Sequence, residues 1–183
     1  MKINLSLLLA LLLSLSMLNA QNNSEGVKKH QLKVNLLPAP NIDYELGISE
    51  YATLSLQIGT ELGSVTNIKT NKSHIGLFPL AEISFRQYYN YERRLEKGKN
   101  TFNNSANFYG IIASYNSSNA IIIENNINVV NDLFQTGGIY GLQRTYFKKL
   151  NFGFEIGIVY SYSKPIGGKV QPYLNFNLGW IIL

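Results

Sequence analysis

The 183-residue chain contains no cysteine, only two histidines, and one long uninterrupted apolar run, which is confined to its first twenty residues. Without cysteine there are no disulfides or thiolate ligands, and no acylated residue of the kind that anchors a lipoprotein. His30 and His74 are far apart in sequence and neither belongs to a metal-ligand spacing such as His-Glu-x-x-His, so no zinc, haem or other cofactor is expected. No Gly-rich phosphate loop occurs: Gly137-Gly138 and Gly167-Gly168 read as strand-bend or turn glycines. Charge is sparse as well. Lys+Arg number 16 against 11 Asp+Glu, and setting Lys2 aside leaves 15 against 11, a scattered surplus of four. That is too little to recruit nucleic acid.

The first twenty residues account for the apolar run. Met1-Lys2 is a short basic start, Ile3 to Leu18 is almost wholly Leu, Ser and Ala, and Leu18-Asn19-Ala20 supplies small residues near a cleavage point. This three-part pattern predicts a signal peptide over 1–20, with 21–29 a disordered lead and 30–183 one domain of ordinary size. Beyond the leader nothing approaches the ~20 apolar residues that a spanning helix needs. An exported chain without helical spans has one other way to cross a bilayer, a closed barrel whose backbone bonds all run between strands.

What the remainder contains is alternation. Leu174, Phe176, Leu178, Trp180 and Ile182 fall on one face of a strand, with Asn175, Asn177 and Gly179 on the other. Phe152 to Tyr162 repeats the pattern, as do Leu32–Leu36, Ile42–Ile48, Leu54–Ile58, Ala81–Phe85 and Tyr109–Tyr115. Phe134 to Tyr146 adds a further segment, interrupted by Gly137 and Gly138. Period two over such lengths marks strands with one apolar and one polar face. About eight strands predict an all-β, antiparallel, up-and-down transmembrane barrel.

The connections alternate too. Ser49-Glu50 and Lys148-Lys149 read as tight turns, while Gly63–Ser73 and Asn116–Asn131 read as longer loops that, with Ser163–Gly168, lie outside. One connection breaks the pattern: Asn90 to Ala106 is long for a periplasmic turn, and Glu92-Arg93-Arg94-Leu95-Glu96-Lys97 predicts a short helical insertion there.

The two faces differ in a way that sets their orientation. The polar face carries Gly, Asn, Ser and Gln with isolated charges at Lys33, Asp43, Glu45, Glu82, Arg86 and Glu155. A water-facing surface carries a denser Lys/Glu mixture, whereas small residues with a few opposite charges suit the narrow interior of an eight-stranded barrel. Those six residues are therefore expected to form a polar network in the lumen, paired because unpaired burial is costly. The Phe, Tyr, Leu and Ile face is expected to meet lipid.

No catalytic site is predicted, and the chain is expected not to be an enzyme. Ser73-His74, at the predicted outer mouth, is the one pair resembling hydrolytic machinery, and no acid is placed beside it by sequence. Basic pairs at Lys28-Lys29, Arg93-Arg94 and Lys148-Lys149 map to one rim, and Lys69, Lys72, Lys164 and Lys169 to the other, where anionic head groups are available.

Arg86-Gln87-Tyr88-Tyr89-Asn90, Arg93-Arg94, Lys97-Gly98-Lys99-Asn100-Thr101 and Asn104-Ser105-Ala106-Asn107-Phe108, with Leu32–Leu37 and Tyr44-Glu45, resemble segments of small uncharacterised outer-membrane barrel proteins of Bacteroidetes-type bacteria. The resemblance implies a porin-like eight-stranded barrel without an established activity. It departs at the C-terminus, where Leu183 replaces the aromatic residue that many such barrels present to the insertion machinery. The expected setting is the bacterial outer membrane. The expected partners are outer-membrane lipid, lipopolysaccharide and the barrel-insertion machinery, and the chain is expected to be a monomer. Two functional readings stand: a structural or surface-interaction barrel with a plugged lumen, or a narrow channel or lipocalin-like carrier of a small ligand.

Overall fold

The computed structural model describes residues 26–67, 72–119, 121–123, 131–164 and 166–183, so the expected signal peptide at 1–20 lies outside the described residues. The fold is all-β. Its strands are β1 (His30–Leu37), β2 (Asn41–Gly47), β3 (Ala52–Asn67) and β4 (Lys72–Gln87), then β5 (Asn107–Asn116), β7 (Leu133–Tyr146), β8 (Leu150–Ser163) and β9 (Gly167–Ile181). A two-residue strand, β6 (Ile122–Ile123), and one short helix, α1 (Tyr91–Glu96), lie in the connections.

Every long strand pairs antiparallel with its chain neighbour, and β1 pairs with β9, so the eight strands close into an up-and-down, barrel-like ring. Closure gives both edges of the sheet a partner, which removes the unpaired rows of N–H and C=O groups that an open sheet presents. The closing seam matches Lys33 with Ile181, Val34 with Trp180 and Asn35 with Gly179, and shifts register between Asn35 and Leu37. Each of the eight alternating segments in the sequence corresponds to one long strand.

The alternation sorts cleanly into two faces. Inward positions include Lys33, Asp43, Glu45, Ser55, Arg86 and Glu155, all buried, whereas Ile111, Ile158 and Leu174 on the outer face are 63%, 66% and 69% exposed. Some apolar groups also point inward. Phe108, Ile112, Ile139, Val159 and Tyr173 form a cluster with Tyr88 and Ala106 inside the ring. Gly141 makes room for it, because a Cβ there would approach the Phe108 ring to 2.5 Å.

Two connections differ from the sequence expectation. Gly63–Ser73 is not a long loop: β3 and β4 stay paired out to Asn67 opposite Lys72, which leaves only 68–71 between them. The polar Gly-Ser-Thr composition suggests a loop locally, but cross-strand hydrogen bonding satisfies that backbone and overrides the preference. The Ser163–Gly168 connection, expected at the same end, occupies 164–166. In the Asn116–Asn131 segment, β6 adds to the edge of β4 at Gly76 and Leu77. The N-terminal lead is packed from Gly26 onward rather than free up to residue 29: Val27 N–H donates to Glu50 O at 2.8 Å, and Val27 is buried.

The C-terminal ends of β1, β3, β5 and β8 share one end of the ring, and the connections 48–51, 88–106 and 147–149 share the other with Gly26 and Leu183. The second is called the helix-bearing end below. There the β7–β8 turn holds Phe147 at φ 49° and Lys148 at φ 65°, a left-handed pair without glycine. Such geometry costs non-glycine residues of order 1 kcal/mol each. Lys148→Gly is therefore expected to stabilise the chain by roughly 0.5–1 kcal/mol, after the entropy that glycine adds to the unfolded state. Equilibrium urea unfolding reads this as a higher midpoint, and an unchanged or lower midpoint contradicts it.

Candidate functional site

Among the described residues, the interior of the ring concentrates the chemistry-bearing side chains. Lys33 on β1 lies directly opposite Asp43 on β2, and its ammonium reaches Asp43 Oδ2 and Glu45 Oε2, each at 2.8 Å. Arg86, from β4, approaches the same two carboxylates at 3.7 and 3.9 Å and pairs across the lumen with Glu155 of β8 at 3.1 Å. Period two places each group inward from its own strand, and closure brings four strands' contributions to one centre.

Glu45 is the hub. Its Oε1 accepts from Thr53 Oγ1 at 2.8 Å, Tyr88 Oη at 2.6 Å and Asn104 Nδ2 at 3.0 Å, while its Oε2 accepts from Lys33. Four donors match the roughly four lone-pair positions of a carboxylate. Ser55 Oγ donates to Asp43, Lys33 also donates to Gln143 Oε1 at 3.1 Å, and Asn175 Nδ2 donates to Glu155 at 3.3 Å. The Arg86 guanidinium lies 5.2 Å from the centroid of the Phe108 ring, within cation–π range.

Five of the six charges that the sequence assigns to the lumen thus meet in one network. Glu82 does not join it. It is buried two inward positions beyond Arg86 on β4, opposite Gln57, and among the described residues its one hydrogen bond to a side chain is from Tyr173 Oη at 3.4 Å.

The sequence did not indicate the stopper below the network. After α1 the chain folds back into the end of the ring, and Asn103, Asn104, Ser105 and Ala106 are all buried. Asn103 and Asn104 take left-handed φ values of 50° and 59°, which asparagine tolerates better than most residues. Asn103 O accepts from Gln143 Nε2 at 3.0 Å, and Asn103 Nδ2 donates to Lys148 O at 3.1 Å. Ser105 Oγ accepts from Thr145 N–H at 2.8 Å, and Asn104 Oδ1 accepts from Lys28 N–H at 2.7 Å. Partial burial in this packing pulls the Lys28 ammonium pKa below its ordinary value. Tyr91 of α1 ties the stopper to the lead by donating to Gly26 O at 2.7 Å. The one sequence signal was Asn103-Asn104-Ser105, three small polar residues after the helical stretch of the long Asn90–Ala106 connection.

At the opposite end the ring opens into a cavity of about 400 Å³ lined by Glu61, Asn116, Gln135, Ser161 and Gln171 among others. Ser73 and His74 are not on a loop at this mouth: their backbone belongs to β4, paired with Thr66 and Val65. His30 sits at the helix-bearing end, with Nδ1 2.7 Å from Tyr44 Oη, so the two histidines occupy opposite ends of the ring. Among the described residues no three His, Cys, Asp or Glu side chains converge on a metal position. No family model, curated protein or solved structure matches the chain.

Removing one partner from this network strands the others in a low-dielectric interior. Arg86→Met leaves Glu155 without its cation and is expected to lower stability by about 3–5 kcal/mol. Arg86→Met combined with Glu155→Leu is expected to recover a substantial part of that loss. Thermal unfolding of the single and double variants measures both, and an unchanged unfolding temperature for Arg86→Met contradicts the pairing.

Proposed function

We propose that the chain is a plugged β-barrel of a Gram-negative outer membrane, with a structural or surface-interaction role presented at the end opposite the stopper. The supporting observation is the inverted distribution of its faces. Charged and amide side chains fill the interior, while the exterior carries Ile42, Leu56, Ile83, Ile111, Ile156, Ile158 and Leu174, all large, apolar and exposed. In water such a surface promotes association; in hydrocarbon it is the matching solvent.

Two aromatic rows frame this exterior. Tyr89, Tyr109 and Tyr140 cluster near the helix-bearing end, with centroid separations of 6.2 and 5.9 Å from Tyr89. Tyr115 and Phe134, 4.8 Å apart, lie toward the other end, with Tyr162 opposite Phe134 on the next strand. Rings of this kind suit the two membrane–water interfaces. Strands β7, β8 and β9, with 14 to 15 residues each, exceed the ~9–11 that a tilted strand needs to cross. The leader at 1–20 supplies the export that the reading requires.

The same distribution counts against a lipocalin-like carrier, which holds its apolar residues inside. A narrow channel needs a continuous wet path, and here the ion network and the Asn103–Ala106 stopper both stand in it. The resemblance to small Bacteroidetes-type barrels points the same way.

The test is to express the full-length chain in a Gram-negative host, isolate outer membranes, and run the fraction on a detergent gel with and without boiling. The protein is expected in that fraction with a heat-dependent mobility, and reconstituted in planar bilayers it is expected not to conduct. Recovery as a soluble periplasmic protein contradicts membrane insertion, and steady single-channel conductance contradicts the plug.

A further inference from the structure

Beyond the ion network, the interior contains a second acidic feature that the plug does not use. Among the described residues, two buried inward cations (Lys33 and Arg86), with Lys169 at the mouth, face five carboxylates, at Asp43, Glu45, Glu61, Glu82 and Glu155. The formal excess is two negative charges. Both buried cations pair with Asp43 and Glu45, and Arg86 also with Glu155; among the described residues neither Glu61 nor Glu82 has a Lys or Arg within 4 Å.

Glu61 and Glu82 both line a small pocket of about 20 Å³ between the network and the mouth, together with Gln57, Tyr173, Asn41 and Asn175. That volume suits a single water or ion. A second observation points to what it holds. Gln57 is only 4% exposed and lines the pocket, and its side-chain oxygen has no hydrogen-bond partner. Gln57 and Glu82 are directly paired across β3 and β4, which brings their side chains together on the inner face. A buried acceptor without a donor, beside carboxylates without a cation, is an arrangement that a positive ion completes.

We propose that this pocket is a calcium site, with the Glu61 and Glu82 carboxylates and the Gln57 amide oxygen as its principal ligands. The chemistry selects the ion: every available donor is a hard oxygen, and no thiolate or imidazole lines the pocket. Several oxygens on separate strands, without a rigid octahedral frame, suit calcium's six to eight flexible contacts better than magnesium's strict geometry. A bound divalent ion offsets this excess of two charges and ties β3 to β4 beside the ion network. The site lies inside the ring and does not depend on whether the exterior meets lipid.

The test uses the purified full-length chain in detergent, stripped with EDTA, and calcium chloride alone as the probe. Titration calorimetry is expected to find one equivalent bound. Calcium at a hundredfold excess over its Kd is expected to raise the unfolding temperature by roughly 5–10 °C. Glu82→Gln and, separately, Gln57→Leu are expected to lose that calcium-dependent increment, whatever their unfolding temperature without the ion. A wild-type reading guards against variants that do not fold: terbium at this site is expected to emit on tyrosine excitation, sensitised by Tyr173, and calcium is expected to displace it. Absence of calcium binding by the wild type, an increment that survives Glu82→Gln, or an equal increment with magnesium overturns the assignment.

Discussion

The carboxylate of Glu45 must be satisfied in a place water does not reach, and much of the interior is arranged around that requirement. Its four donors come from β1, β3, the segment just after β4, and the stopper, so one side chain binds four parts of the chain to β2. A buried ion pair contributes little net stability compared with a well-packed apolar replacement, but breaking one is costly. The network therefore specifies the arrangement more than it strengthens it. With Lys33 between Asp43 and Glu45 and Arg86 reaching across to Glu155, a slip of any of these strands by one residue would turn a charge outward and leave its partner unpaired.

The stopper is part of the same balance. Asn104 gives its amide N–H to Glu45 and takes the Lys28 backbone N–H, so the segment that closes the helix-bearing end also completes the hub. Without it, Glu45 would lose a donor and Gln143 and Thr145 would lose partners at the rim. On the proposed reading, closure is thus a structural consequence of satisfying the lumen, and the variable chemistry is left to the opposite mouth.

The fold was legible because period two is a strong signal where a strand sustains it for about ten residues. Leu174 to Ile182 and Phe152 to Tyr162 show it without interruption, and the inward charges stood out against Gly, Asn and Ser neighbours. Legibility failed where partners were distant in sequence. Gly63 to Thr66 looked like loop because nothing local shows that Ile75 and Gly76 pair with that stretch. Asn103 and Asn104 gave no sign of burial because their partners, Lys28, Glu45, Gln143 and Lys148, are 40 to 76 residues away. Glu82 was grouped with the other charges by its face alone, and its place on β4, two inward positions beyond Arg86 with Ser84 between them, separates it from the Arg86 guanidinium.

The central claim is that the apolar exterior faces lipid. The chain has a single tryptophan, Trp180, and it stands on the outer face, 49% exposed, near the helix-bearing end. Its fluorescence in reconstituted vesicles containing brominated phospholipids tests the claim directly. Strong quenching by lipids brominated near the head-group end of the acyl chain, with little quenching by aqueous acrylamide, is the expected result. Full quenching by acrylamide with none by the brominated lipids would contradict it and place that face in water.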